Sequence, residues 1–251
     1  MDLRLALMSG IDIPVPECQV ILHQPTIKEI AFIGNEDFFI GVQTLCLYKS
    51  MFVEDKKVLE EINNFQIFMT VMNDKECADK KRDVMQILTL LFPGAQILFT
   101  PRSLVINGLP SGSVTIDANN FEFLQEALRL IFCSKTGPMD QQAFNPADDK
   151  AREIAQKLMR GRQRVAAQKG ESNSCVFTQY ISILTVALRI PPRELLNCTM
   201  YQLYDLMERY SLYNAWDLDV RVRLAGGKPD SQPDNWMKNI HWTSYLFISF
   251  K

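Results

Sequence analysis

The residues of this chain that could do chemistry are few, and each group is judged by the spacing its reaction would need. Asp148, Asp149 and Lys150 form a D-x-K triplet just after Pro146, part of the pattern used by metal-dependent nucleases. In that setting a strand must present both side chains to one metal. Here the triplet opens a predicted helix, where acidic residues complement the positive end of the dipole. A nuclease that uses Asp148 as a ligand is therefore a remote alternative. Asp217 and Asp219 stand two residues apart on another predicted helix and so point about 200° from each other, a poor pair for one ion. His23 and His241 are the only histidines, and a zinc site or a Cys–His nucleophile built on them would need cysteines brought from afar. The six cysteines, at 18, 46, 77, 133, 175 and 198, never form C-x-x-C. There is no G-x-x-x-x-G-K-[ST], no G-x-G-x-x-G and no G-x-S-x-G. Gly108 and Gly112 bracket a turn. The expectation is a protein that is not an enzyme, with no catalytic residue, no cofactor and no metal.

What remains is the chemistry of contact, and two stretches carry it. Between 147 and 170 seven basic side chains face three acidic ones, a net +4 in a chain whose net charge is −2. A solvated helix face accounts for such a run. An acidic face on a partner protein would complement it, and nucleic acid is the less favoured partner, because no aromatics interleave with the arginines to stack on bases. The second stretch, 198–227, opens with Thr199 and Gln202 spaced as a capping box. Leu203, Leu206, Met207, Tyr210 and Tyr213 follow at helical spacing, with Tyr201, Tyr204, Asp205, Glu208 and Arg209 elsewhere on the circumference. Trp216, Val220 and Leu224 extend the run to the stop at Gly226 and Gly227. Aromatics on more than one face predict a helix contacted from more than one side. Arg160, Arg162 and Arg164 are the candidate charges for partner recognition. Tyr201, Tyr204, Trp216, Trp236 and Trp242 are the candidate anchors, since large aromatics dominate interface energetics.

Those stretches need a scaffold, and the composition supplies one. With 47% hydrophobic and 22% charged residues, the chain has a globular make-up and an ample core. The near-neutral charge excludes a global field for nucleic acid or an anionic membrane. Scattered cysteines without a basic, apolar leader predict reduced thiols and a cytoplasmic setting. The most apolar segments, 87–92 and 181–190, are too short to span a bilayer.

Taken in order, 11–22 with Pro14 and Pro16 predicts an extended lead-in or edge strand. Helices are predicted from Thr26 to about 33, over 36–48, 56–72 and 80–92, the last closed by Pro93 and Gly94. Three short runs rich in Ile, Leu, Val and Thr, at 96–100, 103–107 and 113–117, predict a small antiparallel meander. Asn119 or Asn120 is expected to cap a helix through Phe132. Asn145, Pro146, Asp148 and Asp149 are a strong helix start for a helix to 169, about 34 Å long. Helices follow over 176–190, over 193–197, and from Thr199. The fold class is mainly α with a small inserted β element, α+β. It divides into an N-terminal subdomain, 1–143, with the β element near 96–117, and a helical C-terminal subdomain, 144–251.

Four phrases together resemble a known group: HQPTIKEI at 23–30, NFEFLQEALRLIF at 120–132, FNPADDKAREIAQKLMRGRQRVA at 144–166 and NCTMYQLYDLMERY at 197–210. In that order the chain resembles proteins of tailed bacteriophages encoded among the tail genes, of the baseplate-hub or tail-assembly-chaperone type. The resemblance spans most of the chain and implies no cofactor and no catalytic residue. It carries over the basic helix from Pro146 and the aromatic helix from Thr199, while the aromatic-rich C-terminus departs from the pattern. It implies a tail or baseplate assembly or structural protein. The partners would be tail or baseplate proteins or a second copy of the chain. The location would be the host cytoplasm during assembly, followed either by release or by retention in the virion tail. A nucleic-acid-binding regulator using the helix at 147–169 is the alternative.

Overall fold

The computed structural model describes residues 2–49, 61–134, 175–227 and 235–238. The expected basic helix over 146–169, with Arg160, Arg162, Arg164 and the D-x-K triplet, lies outside the described residues, as does Trp242. So does the expected subdomain boundary.

The chain opens with a helix that the sequence reading did not anticipate, α1 (Leu3–Ser9). Its signals are short but complete. The Asp2 carboxylate accepts from the amides of Arg4 and Leu5 at 3.0 and 3.1 Å, and Gly10 ends the helix in the left-handed region at φ +70°. The lead-in is a hairpin in which β1 (Ile13–Val15) pairs antiparallel with β2 (Val20–Leu22). Buried Gln24 donates its amide to the carbonyls of Ala6 and Ile11, tying α1 to the hairpin.

Next come α2 (Ile27–Ile33) and α3 (Asn35–Leu45), broken at Gly34 as expected. The helix expected over 56–72 is described as α4 (Asn64–Asn73). Its start is fixed by Asn63, which exchanges a capping box with Gln66 and so breaks the expected span at 62–63. Then α5 (Ala78–Leu91) packs along α3. Gly41 makes that approach possible: a Cβ there would stand 2.7 Å from Ile87 Cγ1 and 2.9 Å from the Asp83 carbonyl oxygen.

The meander is present. Strands β3 (Gln96–Phe99), β4 (Leu104–Leu109) and β5 (Gly112–Ile116) form an antiparallel sheet in that order. Alternation turns Ile97, Leu104, Ile106, Val114 and Ile116 inward, with a register irregularity beside Gly108 at φ +84°. Helix α6 (Phe121–Ile131) follows. Asn120 stands at its cap position but bonds no helix amide. Its side chain instead accepts from the Asp117 amide and donates to the Thr115 carbonyl, so it shapes the turn out of β5. The other face of α6 secures α3: Gln125 donates to the carbonyls of Leu45 and Leu47, and Arg129 to that of Cys46. Three terminal carbonyls thereby gain partners, and the Arg129 guanidinium lies over the Tyr48 ring.

The remaining described helices are α7 (Val176–Leu188), α8 (Pro192–Leu196) and α9 (Met200–Leu224). The architecture is mainly α, α+β, with the small inserted meander as expected. Among the described residues a second small antiparallel sheet is formed by the hairpin at 13–22, which the sequence indicated only as a lead-in or edge strand. One apolar core runs through the described residues, from Ala6 and Leu7 to Met200, Tyr201 and Leu203. Phe177 joins the late helices to it, stacked on Phe39 and edge-on to Phe38, which itself meets Phe132. All six cysteines are free thiols. Burial raises the pKa of Cys46 to about 12 and, with the nearby Glu17 charge, that of Cys18 to about 11. No helix among the described residues is long and apolar enough to cross a membrane.

Candidate partner-binding surface

The expected capping box at the start of α9 is formed: Thr199 Oγ1 accepts from the Gln202 amide and Gln202 Oε1 from the Thr199 amide. Its partner in space is a second capping box, Thr26 with Glu29 at the start of α2. Thr26 and Thr199 meet in an antiparallel bridge, and the Ile27 amide donates to the Cys198 carbonyl at 2.9 Å. Two of the phrases singled out in the sequence, 23–30 and 197–210, therefore converge on one point. Gln202 also donates its amide to the Met8 carbonyl at 2.7 Å, so the end of α1 rests on the start of α9. This junction fixes the direction in which α9 leaves the body.

Along α9 the surroundings change. Met200, Tyr201, Leu203 and Asp205 are buried. Tyr201, a candidate anchor, is only 3% exposed and belongs to the core. Tyr204 is half-buried against the rings of Tyr180 and Phe177, and burial raises the pKa of its phenol. Both serve the interior of the chain. From residue 211 the helix runs into solvent, with Tyr213 45%, Trp216 36%, Leu218 60% and Leu224 82% exposed. Tyr213, which shares a helical spacing with buried Leu203, stands on the surface. The periodicity placed it correctly around the helix, but among the described residues no element of the body covers it that far along the axis.

At 100° per residue, Tyr213, Trp216, Val220 and Leu224 fall within about 80° of arc. Two ion pairs border the stripe, Asp217–Arg221 at 2.9 Å on one side and Asp219–Arg223 at 2.6 Å on the other. Each sets the acid four residues before the base, the favourable order on a helix, and the two carboxylates point apart, each held by its own arginine. Leu218 and Val222 occupy the opposite face, also exposed.

The sequence reading missed Arg209. Its Nη1 donates to the carbonyl oxygens of Trp236 at 2.5 Å and Lys238 at 2.8 Å. That sets Trp236 against the stripe, with ring centroids 5.5 Å from Tyr213 and 6.3 Å from Trp216, while Tyr213 and Trp216 are 6.2 Å apart. Trp216 and Trp236, two of the candidate anchors, are thus brought together. No local sequence signal links Arg209 to a turn 27 residues onward.

Residues 168–241 match the family model of the YomV second domain. That is a phage-derived domain family. The match covers less than a third of the chain but takes in α7, α8, α9 and the turn at 235–238. The YomV-like segment therefore contains the entire aromatic surface, and of the four phage-like phrases it holds only 197–210. No curated protein and no solved structure matches the chain.

Other chemical groupings are dispersed. His23 lies between two carboxylates, with Nδ1 3.0 Å from Asp12 and Nε2 3.5 Å from Glu29; ring nitrogens that face opposite ways cannot share one ion with both. No group of three His, Cys, Asp or Glu side chains among the described residues could hold a metal.

Proposed function

We propose that this chain is a phage tail or baseplate assembly or structural protein that acts through protein–protein contacts, without catalysis. The observation that carries the proposal is the outer half of α9, where exposed Tyr213 and Trp216 cluster with half-buried Trp236 on one stripe that continues to exposed Leu224. Contiguous exposed apolar surface edged by charge is the mark of an interaction site, and aromatic anchors of this kind supply most of an interface's energy. The match of this segment to a phage-derived domain supports the viral setting. The resemblance to tail-module proteins supports the choice of partner. In this reading the aromatic surface holds a tail or baseplate subunit. The basic segment, with Arg160, Arg162 and Arg164, selects an acidic face on it, in the host cytoplasm while the particle is built.

The test is affinity capture of the tagged chain from phage-infected cells under nuclease treatment, with partners identified by mass spectrometry. Tail or baseplate subunits should be recovered, and should be lost with Trp216→Ala. Recovery of nucleic acid alone, or of partners that vanish with nuclease, would overturn the reading in favour of a nucleic-acid-binding regulator.

A further inference from the structure

We infer that Arg209 is a positioning residue. It clasps the turn at 235–238 to α9 so that Trp236 becomes a fixed wall of the aromatic surface, and the surface so completed takes an amphipathic helix of the partner. The inference rests on the reading of this surface as the partner site.

Three observations carry it. First, the clasp grips backbone only: one guanidinium nitrogen reaches the carbonyls of Trp236 and Lys238. A charged donor makes stronger hydrogen bonds than a neutral one. The turn is braced independently by Asn235, whose side chain accepts from the Met237 amide and whose carbonyl accepts from the Lys238 amide. The indole of Trp236 is thus left to meet Tyr213 edge-on, at 83° between ring planes. Second, the turn is a wall and not a cover. Tyr213 and Trp216 keep about two-fifths of their surface in solvent with Trp236 in place, and Met237 beside it is exposed. Rings held in position yet accessible are preorganised for binding, which removes part of the ordering cost of association. Third, the shape and edges of the surface specify its occupant. The stripe from Tyr213 to Leu224 is about 16 Å long and narrow, with an acid–base pair along each side. An apolar seam bordered by both charge signs is the pattern with which one helix receives another. The partner segment is therefore a helix with an apolar stripe and mixed charges beside it.

Two measurements test this on the full chain. In the protein alone, Arg209→Ala should reduce near-UV circular dichroism to the level of Trp236→Ala, because coupled aromatic rings lose their fixed geometry. Far-UV ellipticity should be unchanged. Unaltered near-UV signal in Arg209→Ala would overturn the clasp, and this arm needs no partner. With the tail subunit recovered as above, Arg209→Ala should weaken association at least tenfold. Trp236→Ala should add nothing further in the Arg209→Ala background, since the two act as a unit. Tighter binding by Arg209→Ala would show the turn to be a cover and would also overturn the inference. Failure to recover any tail subunit, with the near-UV loss observed, would sink the functional reading and leave the clasp standing.

Discussion

The inner and outer halves of α9 are made of much the same residues and do opposite things. Residues 200–210 carry Tyr201, Leu203, Tyr204 and Leu206; residues 211–224 carry Tyr213, Trp216, Leu218 and Leu224. Both halves are helical, and both have apolar side chains on more than one side. Yet the first is packed from several directions by α1, α6 and α7, whereas among the described residues the second is bordered by the short turn around Trp236. A helix's own sequence therefore says how its side chains are arranged about the axis, not where along that axis the rest of the fold ends. On the proposed function, this exposed apolar extension is the surface that a partner covers.

The largest expected effect comes from treating the two halves alike. Leu203→Ala empties a fully buried position and should cost about 2–5 kcal/mol of stability, measured by urea unfolding. Leu224→Ala makes the same chemical change at an exposed position of the outer half's stripe and should stay within about 0.5 kcal/mol of wild type, while reducing capture of the tail partner. Equal destabilisation by the two would abolish the distinction on which the functional reading rests. Gly41→Ala probes the body to which the inner half belongs. The new methyl would press on Ile87 Cγ1 and the Asp83 carbonyl, and overpacking of this kind costs about 1–3 kcal/mol. A variant as stable as wild type would show that α3 and α5 can move apart freely.

Much of the body was legible because its signals are local. The capping box at Thr199 and the strand chemistry of 96–117 each define an element from a few neighbouring residues, and each is found where expected. Helix α1 was missed because seven residues are too few to establish a period, although Asp2 and Gly10 mark its ends. The helix expected over 56–72 is interrupted at 62–63, because Asn63 with Gln66 caps a fresh start at Asn64 that an apolar period alone does not reveal. At the candidate surface, Trp216 and Trp236 could be named from residue type alone. Nothing in their spacing could say that they meet, because the link is a pair of backbone carbonyls held by Arg209. Tyr201 was indistinguishable in type from Tyr213, and only the arrival of α1 and α6 in space separates the buried ring from the exposed one.

The junction that aims α9 contributes less than the core but decides direction. Thr199→Ala removes the hydroxyl that accepts from the Gln202 amide and should cost about 1 kcal/mol, restored by serine and read from the thermal midpoint. Loss of partner binding beyond that expected from stability would indicate that the outer half has been re-aimed.

The smallest effect distinguishes the two capping boxes at this junction from each other. They are built alike, but the first is closed by Glu29, which titrates, and the second by Gln202, which does not. Burial alone would raise the Glu29 pKa. Hydrogen bonds from the Thr26 amide and hydroxyl, both 2.7 Å, together with the neighbouring His23, reverse this and hold it below the ordinary value. A carboxylate depressed in the folded state binds its proton more readily in the unfolded chain. Its contribution to stability is therefore present above the unfolded pKa of about 4.3 and is lost as pH falls through the lower folded value. The side chain is about two-fifths exposed, so the effect should be slight and should shrink with added salt. Glu29→Gln gives the first box the chemistry of the second. The variant should unfold along a flatter acid limb than wild type between about pH 5 and pH 3, with its midpoint at neutral pH nearly unchanged. An acid limb as steep as that of wild type would show that the charge on Glu29 is not what the first box depends on, and that the two boxes hold the junction by geometry alone.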